Sequence, residues 1–211
     1  HRTTYGWSVY DQLNLNYRKK GFDLSGMLYA GNFRGGTDNT YIIDTYLDKH
    51  WQQYLDLRDQ TSKTQSLETT WSLNYQFDEN HAMGIRYNFE RTPQYYGYLN
   101  QFAQSYCNKE LYEDLYSTII SDDPETYHRS NFYYNGKVKN WSIDFNADGL
   151  WSDTKNTQTA KEDIKEGANE DSDRTVTTFN TNKNELYAAK LVLSHPFGKG
   201  ELSFGAEYSH N

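Results

Sequence analysis

Apolar and polar residues alternate along most of this chain, in runs separated by short polar breaks. The clearest run places Trp141, Ile143, Phe145, Ala147, Gly149 and Trp151 on one parity, with Ser142, Asp144, Asn146, Asp148 and Leu150 on the other. Period two over ten residues predicts a strand with one apolar face. Similar runs occur at Tyr5–Arg18, at 22–31 (Phe22, Leu24, Gly26, Leu28, Ala30) and towards the end of 62–77 (Trp71, Leu73, Tyr75, Phe77). Others lie at 83–90 (Met83, Ile85, Tyr87, Phe89), 127–138, 187–193 and 202–208. Pro93 is expected to end the fourth run, because proline cannot donate to a ladder.

Short polar turns join these runs in pairs, centred on Lys20, Glu79, Lys137 and Gly198 at intervals of 59, 58 and 61 residues. Asn135-Gly136-Lys137 is read as the third of them. Between the pairs lie three long excursions, near 32–61, 94–127 and 152–184. The first reads either as strand continued outward or as a helical loop. The second contains a candidate short helix over 108–120, with Leu111, Leu115 and Ile119 four apart. The third is charged and poor in aliphatics, and reads as a mobile loop. Short turns alternating with long loops predict an all-β, antiparallel up-and-down meander of about eight long strands. That pattern is the wall of a transmembrane β-barrel, with residues 1–211 forming part of one.

Composition sharpens this picture. Apolar residues make up 36% of the 211 residues, yet aromatics make up 17%, including 20 Tyr and 5 Trp. Soluble domains run at about 45–50% apolar. A surplus of Tyr and Trp suits a surface between lipid and water, and also suits a soluble, Tyr-rich carbohydrate- or ligand-binding module. The net charge of -8 argues against a nucleic-acid partner. A single cysteine, Cys107, permits no intrachain disulfide and reads as a loop thiol. No run of about twenty apolar residues occurs, which excludes a transmembrane helix but not a barrel.

Little catalytic chemistry is visible. The sequence contains no phosphate-binding loop, dinucleotide fingerprint, zinc-protease helix motif or nucleophile elbow. His1, His50, His81, His128, His195 and His210 show no metal-pair spacing, and no cofactor is expected. Asp163, Glu166, Glu170, Asp171 and Asp173 do not match a calcium-loop pattern and read as solvated loop. The chain is therefore read as non-enzymatic. Tyr95, Tyr96, Tyr98, Tyr106, Tyr112 and Tyr116, with Phe102, crowd the second excursion. They are the candidate ligand-contact residues, because aromatic faces stack on sugars and other flat ligands. The competing reading is a loop packing on its own aromatics above a barrel rim.

The stretches Leu13-Asn14-Leu15-Asn16-Tyr17-Arg18-Lys19-Lys20-Gly21-Phe22-Asp23-Leu24-Ser25-Gly26, Trp71–His81 and Tyr133-Tyr134-Asn135-Gly136-Lys137 resemble the barrel of TonB-dependent receptors of Bacteroidetes-type bacteria. The resemblance lies in strand and turn texture over essentially the whole chain. It implies a larger barrel of about 22 strands, plugged by a separate domain, in the bacterial outer membrane. It also implies nutrient import (a glycan, a metal chelate or similar), driven by a TonB-type energy transducer. On this reading the chain is an excised section of barrel wall, in contact with outer-membrane lipid. Its open sheet edges would make an isolated fragment self-associate. A complete eight-stranded barrel is the structural alternative.

Overall fold

The computed structural model describes residues 2–46, 48–165 and 172–211, and they form one antiparallel sheet. Its strands are β1 (Arg2–Lys19), β2 (Phe22–Tyr46), β3 (His50–Asp78), β4 (His81–Cys107), β5 (Glu110–Asp122), β6 (Glu125–Val138), β7 (Trp141–Lys165), β8 (Ser172–Phe197) and β9 (Gly200–His210). Each strand pairs with the next, with one variation. The two short strands β5 and β6 run end to end, so that the upper half of β4 pairs with β5 and the lower half with β6. β7 spans both on the other side. The sheet is thus eight ranks wide. β1 and β9 make no contact with each other, and each is paired on one side only.

The excursions near 32–61, 94–127 and 152–184 are largely strand, not loop. β2 and β3 continue for 25 and 29 residues, to Tyr46 and from His50. Residues 108–120 are not helical. Asn108 and Lys109, both at positive φ (48° and 72°), make a two-residue turn into β5. Two successive positive φ values are what a type I′ hairpin turn demands. The spacing of Leu111, Leu115 and Ile119 suits a helix, but the ladder to β4 takes the backbone groups first. Pro93 does not end β4. The strand passes it through a bulge, where the register shifts between Gln65 and Leu67. Glu166, Glu170 and Asp171 of the acidic segment lie outside the described residues.

Three of the four expected turns are where the sequence places them. The third is at Lys139 and Asn140, beyond Asn135-Gly136-Lys137, which belongs to β6. Gly136 stays in the ladder between His81 and Ile143, and the Tyr134 ring fills the space where its Cβ would be. Gly21 has a different reason. The Gln76 amide donates to the Gly21 carbonyl at 2.8 Å, and a Cβ on Gly21 would overlap the Gln76 carbonyl oxygen.

The register places the alternating residues in continuous bands. On the first face, one row runs Tyr17, Leu24, Leu73, Ile85, Phe132, Ala147, Ala189, Tyr208. The row beside it on the second face runs Arg18, Asp23, Asn74, Gly84, Tyr133, Asn146, Lys190, Glu207. Among the described residues no second layer covers the first face. Leu13, Ile85 and Phe204 are 64%, 49% and 55% exposed, and only Ala103 and Ile164 are buried apolar residues among those described.

The apolar band is not level. Its last apolar position is Ala30 on β2 and Tyr187 on β8, which lies four residues lower in the row system. A fall of about 14 Å over five strand spacings, about 24 Å, is a slant of about 30°.

Gly21→Val should lower stability by about 1–3 kcal/mol through overlap with the β3 backbone. Gly200→Ala, whose nearest neighbour is 3.8 Å away, should stay within about 0.5 kcal/mol of the parent. Urea midpoints of the two variants check both expectations.

Candidate functional site

The distal half of the sheet, above the apolar band, carries the tyrosine-rich segment. Being on β4 and β5, the six candidate tyrosines are sorted by strand alternation. Tyr96, Tyr98 and Tyr106 share the first face with Tyr116, whereas Tyr95 and Tyr112 lie on the second. A bulge between Ser105 and Tyr106 in the β4–β5 ladder turns Tyr112 aside, and its ring meets Trp51 edge-on at 5.2 Å. The tyrosines therefore do not form one cluster. Those on the first face are joined by Phe102, which is directly opposite Tyr116, and by Tyr54 on β3.

Polar groups between these rings are bonded to one another. Tyr98 Oη donates to Asn100 Oδ1 at 3.1 Å, and Thr118 Oγ1 donates to the same oxygen at 3.1 Å. Tyr106 Oη donates to Gln104 Oε1 at 3.2 Å, and Gln104 Nε2 to Asp114 Oδ1 at 2.9 Å. Asp56, only 6% exposed, accepts from Arg58 Nε at 2.7 Å. That hydrogen bond and the adjacent charge raise the Arg58 pKa above its ordinary value. The result is a surface of ring faces with satisfied amides and carboxylates between them. It can stack on a flat ligand, but it presents no nucleophile beside a base. Among the described residues no group of three or more His, Cys, Asp or Glu is placed to hold a metal ion.

The second face holds a polar lattice lower down that the sequence shows only in part. Arg18 pairs with Asp23. Tyr133 Oη donates to Asn74 Oδ1 at 3.0 Å. Asn131 Nδ2 donates to Asn146 Oδ1 and Asp148 Oδ1, both at 2.7 Å. Asn74 and Asp148 are visible as polar-parity residues in the sequence. Tyr133 is not, because the adjacent pair Tyr133-Tyr134 puts one ring on each face and only the register separates them.

Aromatic residues collect at both margins of the apolar band on the first face. At the upper margin Trp151 Nε1 donates to Tyr187 Oη at 2.6 Å, and Tyr87 Oη lies 2.8 Å from His128 Nδ1. At the lower margin the Trp141 ring packs on His195 at 4.7 Å, and Tyr134 Oη lies 2.7 Å from His81 Nδ1. Each of these histidines sits on the first face with an aromatic partner.

No family model and no curated protein matches the chain. Solved structures to which it shows some likeness include the β domain of the Bordetella autotransporter BrkA, at 9% identity, covering 98% of this chain and 91% of that one, with a TM-score of 0.14. Another is Pseudomonas aeruginosa OccK10 (OpdN), at 10% identity, covering 99% and 92%, also with a TM-score of 0.14. At these scores the likeness carries no argument, and the fold assignment rests on the strand pairing itself. No helix of the described residues is long and apolar enough to cross a membrane, which says nothing of crossing by strands.

Asp123, at the break between β5 and β6, yields one pH expectation. Burial raises its pKa, against the opposing effect of its hydrogen bond from Asn156. The folded state therefore holds the proton more tightly than the unfolded state. Stability should fall as pH rises from the ordinary carboxylate range through the raised value. Asp123→Asn should remove that decline, as read from urea midpoints between mildly acidic and neutral pH.

Proposed function

We propose that this chain is a section of the wall of an outer-membrane β-barrel, with its first face to lipid and its second to the lumen. The observation that carries the reading is the uncovered apolar band with aromatics at both margins. Trp141 and Trp151 bound it on β7, ten residues apart in sequence. Ten residues rise about 33 Å, or about 25 Å at a tilt near 40°, and the apolar belt of such barrels is about 25 Å tall. The slant of the band supports the same reading, because a level bilayer crosses tilted strands obliquely to their rows. A soluble binding module would need a second layer on this face, and the described residues supply none.

Strand length adds a vertical dimension. A spanning strand needs about 9–11 residues. β2, β3, β4, β7 and β8 have 25 to 29. More than half of each hairpin then stands outside the membrane, on the side away from the short turns at Lys20, Glu79, Lys139 and Gly198. The first-face tyrosines would be part of that projection.

The finer proposal is that the parent protein is a TonB-dependent receptor importing a glycan, metal chelate or similar nutrient. The strand and turn texture at Leu13–Gly26, Trp71–His81 and 133–137 supports it, as do the unpaired outer edges of β1 and β9. In such a parent, further strands continue both edges, a plug fills the lumen beside the polar lattice, and a TonB-type transducer supplies the energy. The second reading is a complete eight-stranded barrel. The width of eight ranks favours it, and it requires β1 and β9 to meet.

The natural polypeptide containing this sequence should fractionate with the outer membrane and need detergent for extraction. Recovery as a monomer in plain buffer would overturn the barrel reading, and a mass near 24.8 kDa would select the small barrel over the receptor. Within the band, Leu191→Arg should destabilise the protein by about 2–4 kcal/mol in bilayers, as expected for a cation near the lipid midplane. Ala188→Arg, on the opposite face, should cost far less, and denaturant titration in lipid vesicles compares the two.

A further inference from the structure

A row of cations follows the upper edge of the apolar band. On the first face, Arg34 lies four residues beyond Ala30 on β2, and Lys63 four beyond Leu67 on β3. Arg91 lies two beyond Phe89 on β4. Lys155 lies four beyond Trp151 on β7, and Lys183 four beyond Tyr187 on β8. These positions are far from level in the row system, yet each keeps nearly the same offset from the last apolar residue of its own strand. The cations thus share the slant of the band.

Charge separates across the sheet at this height. The second-face positions of the same rows carry Glu68, Glu90 and Glu125 and no lysine or arginine. The first face also has Asp11, Asp153 and Glu185 at its margin, so the cations are not alone. Their pairing is nevertheless poor. Lys183 is 3.9 Å from Asp153, and among the described residues no carboxylate is within ion-pair distance of Arg34, Lys63, Arg91 or Lys155. Arg34 and Lys63 are directly opposite each other in the ladder. Like charges in that relation destabilise a sheet unless an anion neutralises them. In a protein of net charge -8, four exposed cations without partners along one contour call for an anion from outside the chain.

We infer that this collar binds the phosphate groups of lipid headgroups in the leaflet around the projecting hairpins. The inference rests on the lipid-facing reading of the band. Four residues are about 13 Å along a strand, or about 10 Å in height at barrel tilt, which is just past the hydrocarbon edge. Long Lys and Arg side chains can lean back towards that level with their stems on apolar surface. Lipid phosphates are held there at high density, whereas a free anion would have to be captured from solution.

The test uses the natural polypeptide in phosphatidylcholine bilayers with and without lipid A, a diphosphorylated glycolipid. Lipid A should be retained on the protein through detergent extraction, as counted by native mass spectrometry. The variant Arg34→Gln/Lys63→Gln/Arg91→Gln should weaken retention on the order of a hundredfold, from three contacts each worth the usual factor for a basic residue at an anionic surface. Arg86→Gln/Arg129→Gln, on the second face, should leave it unchanged. Equal retention by the collar variant and the parent would overturn the inference, as would competition by inorganic phosphate at concentrations that leave bilayers intact. If the protein enters bilayers but retains no lipid A, the collar alone is wrong. Failure to enter bilayers at all overturns the lipid-facing reading, and the collar with it.

Discussion

Everything in this structure depends on a sheet that satisfies its backbone sideways and leaves its side chains uncovered. Strand-to-strand hydrogen bonds pair the described strands edge to edge, from β1 at one side to β9 at the other. That lattice needs no core. It does need something other than water against a face where Leu13, Ile85 and Phe204 are about half exposed or more. A soluble fold would meet the need by folding a second layer over it. Here the chain spends its length on hairpins two to three times longer than a membrane crossing requires. The apolar face is thus left to the surroundings, and the surroundings become part of the structural argument.

The distal half follows a different rule. Bulges at Arg58–Thr61 and Gln65–Leu67 change which face a given parity occupies. Odd-numbered apolar residues of β3 and β4, which face outward as Leu73 and Ile85, reappear higher up on the second face as Leu55 and Ala103. There they form a row with Tyr41, Leu115 and Ile164, which contains both of the buried apolar residues. Asp59, at a φ of 55°, occupies one of these bulges and accepts from Asn100. The first face at this height carries Tyr54, Tyr96, Tyr98, Tyr106 and Tyr116 with Asn100 and Gln104, interspersed with Ile42 and Ile120. One extra residue in β3 and one in β4 thus separate a lower part of these strands, with aliphatics such as Leu73 and Ile85 on the first face, from an upper part with Leu55 and Ala103 on the second.

This also explains what could be read from the sequence. Alternation is local, so the strands around Trp141–Trp151 and Leu13–Leu28 are legible, as are the turns at Lys20, Glu79 and Gly198. Bulges are not legible. In β3 and β4 the apolar residues on either side of the bulges keep the same parity, and only the pairing shows that the face has changed. Asn135-Gly136 is a strong hairpin signal, yet the pairing of Gly136 with His81 and Ile143 outweighs it, and the chain turns three residues later at Lys139. The charged third excursion reads as a mobile loop because its composition carries no information about its neighbours in the sheet. Between β5 and β8 the residues of β7 find partners on both sides, and strand forms from Thr and Asn with few aliphatics. The density of the candidate tyrosines is plain in the sequence, but their division between two faces depends on the register alone.

The junction at Asp123 and Pro124 has a further consequence. It is where the fifth rank of the sheet is interrupted: β5 ends, β6 begins, and the links across it are the Asp123 amide to the Tyr95 carbonyl and the Lys155 amide to the Pro124 carbonyl, both 3.0 Å. Cooperative opening in a sheet propagates along unbroken ladders. The interruption leaves no continuous strand between β4 and β7, so at this rank the upper and lower halves are joined only through the long strands on either side, β2, β3 and β4 on one and β7 and β8 on the other. The upper half can then lengthen, shorten or change its surface over evolutionary time while the lower half keeps its register. The molecule is modular along its height, not along its sequence.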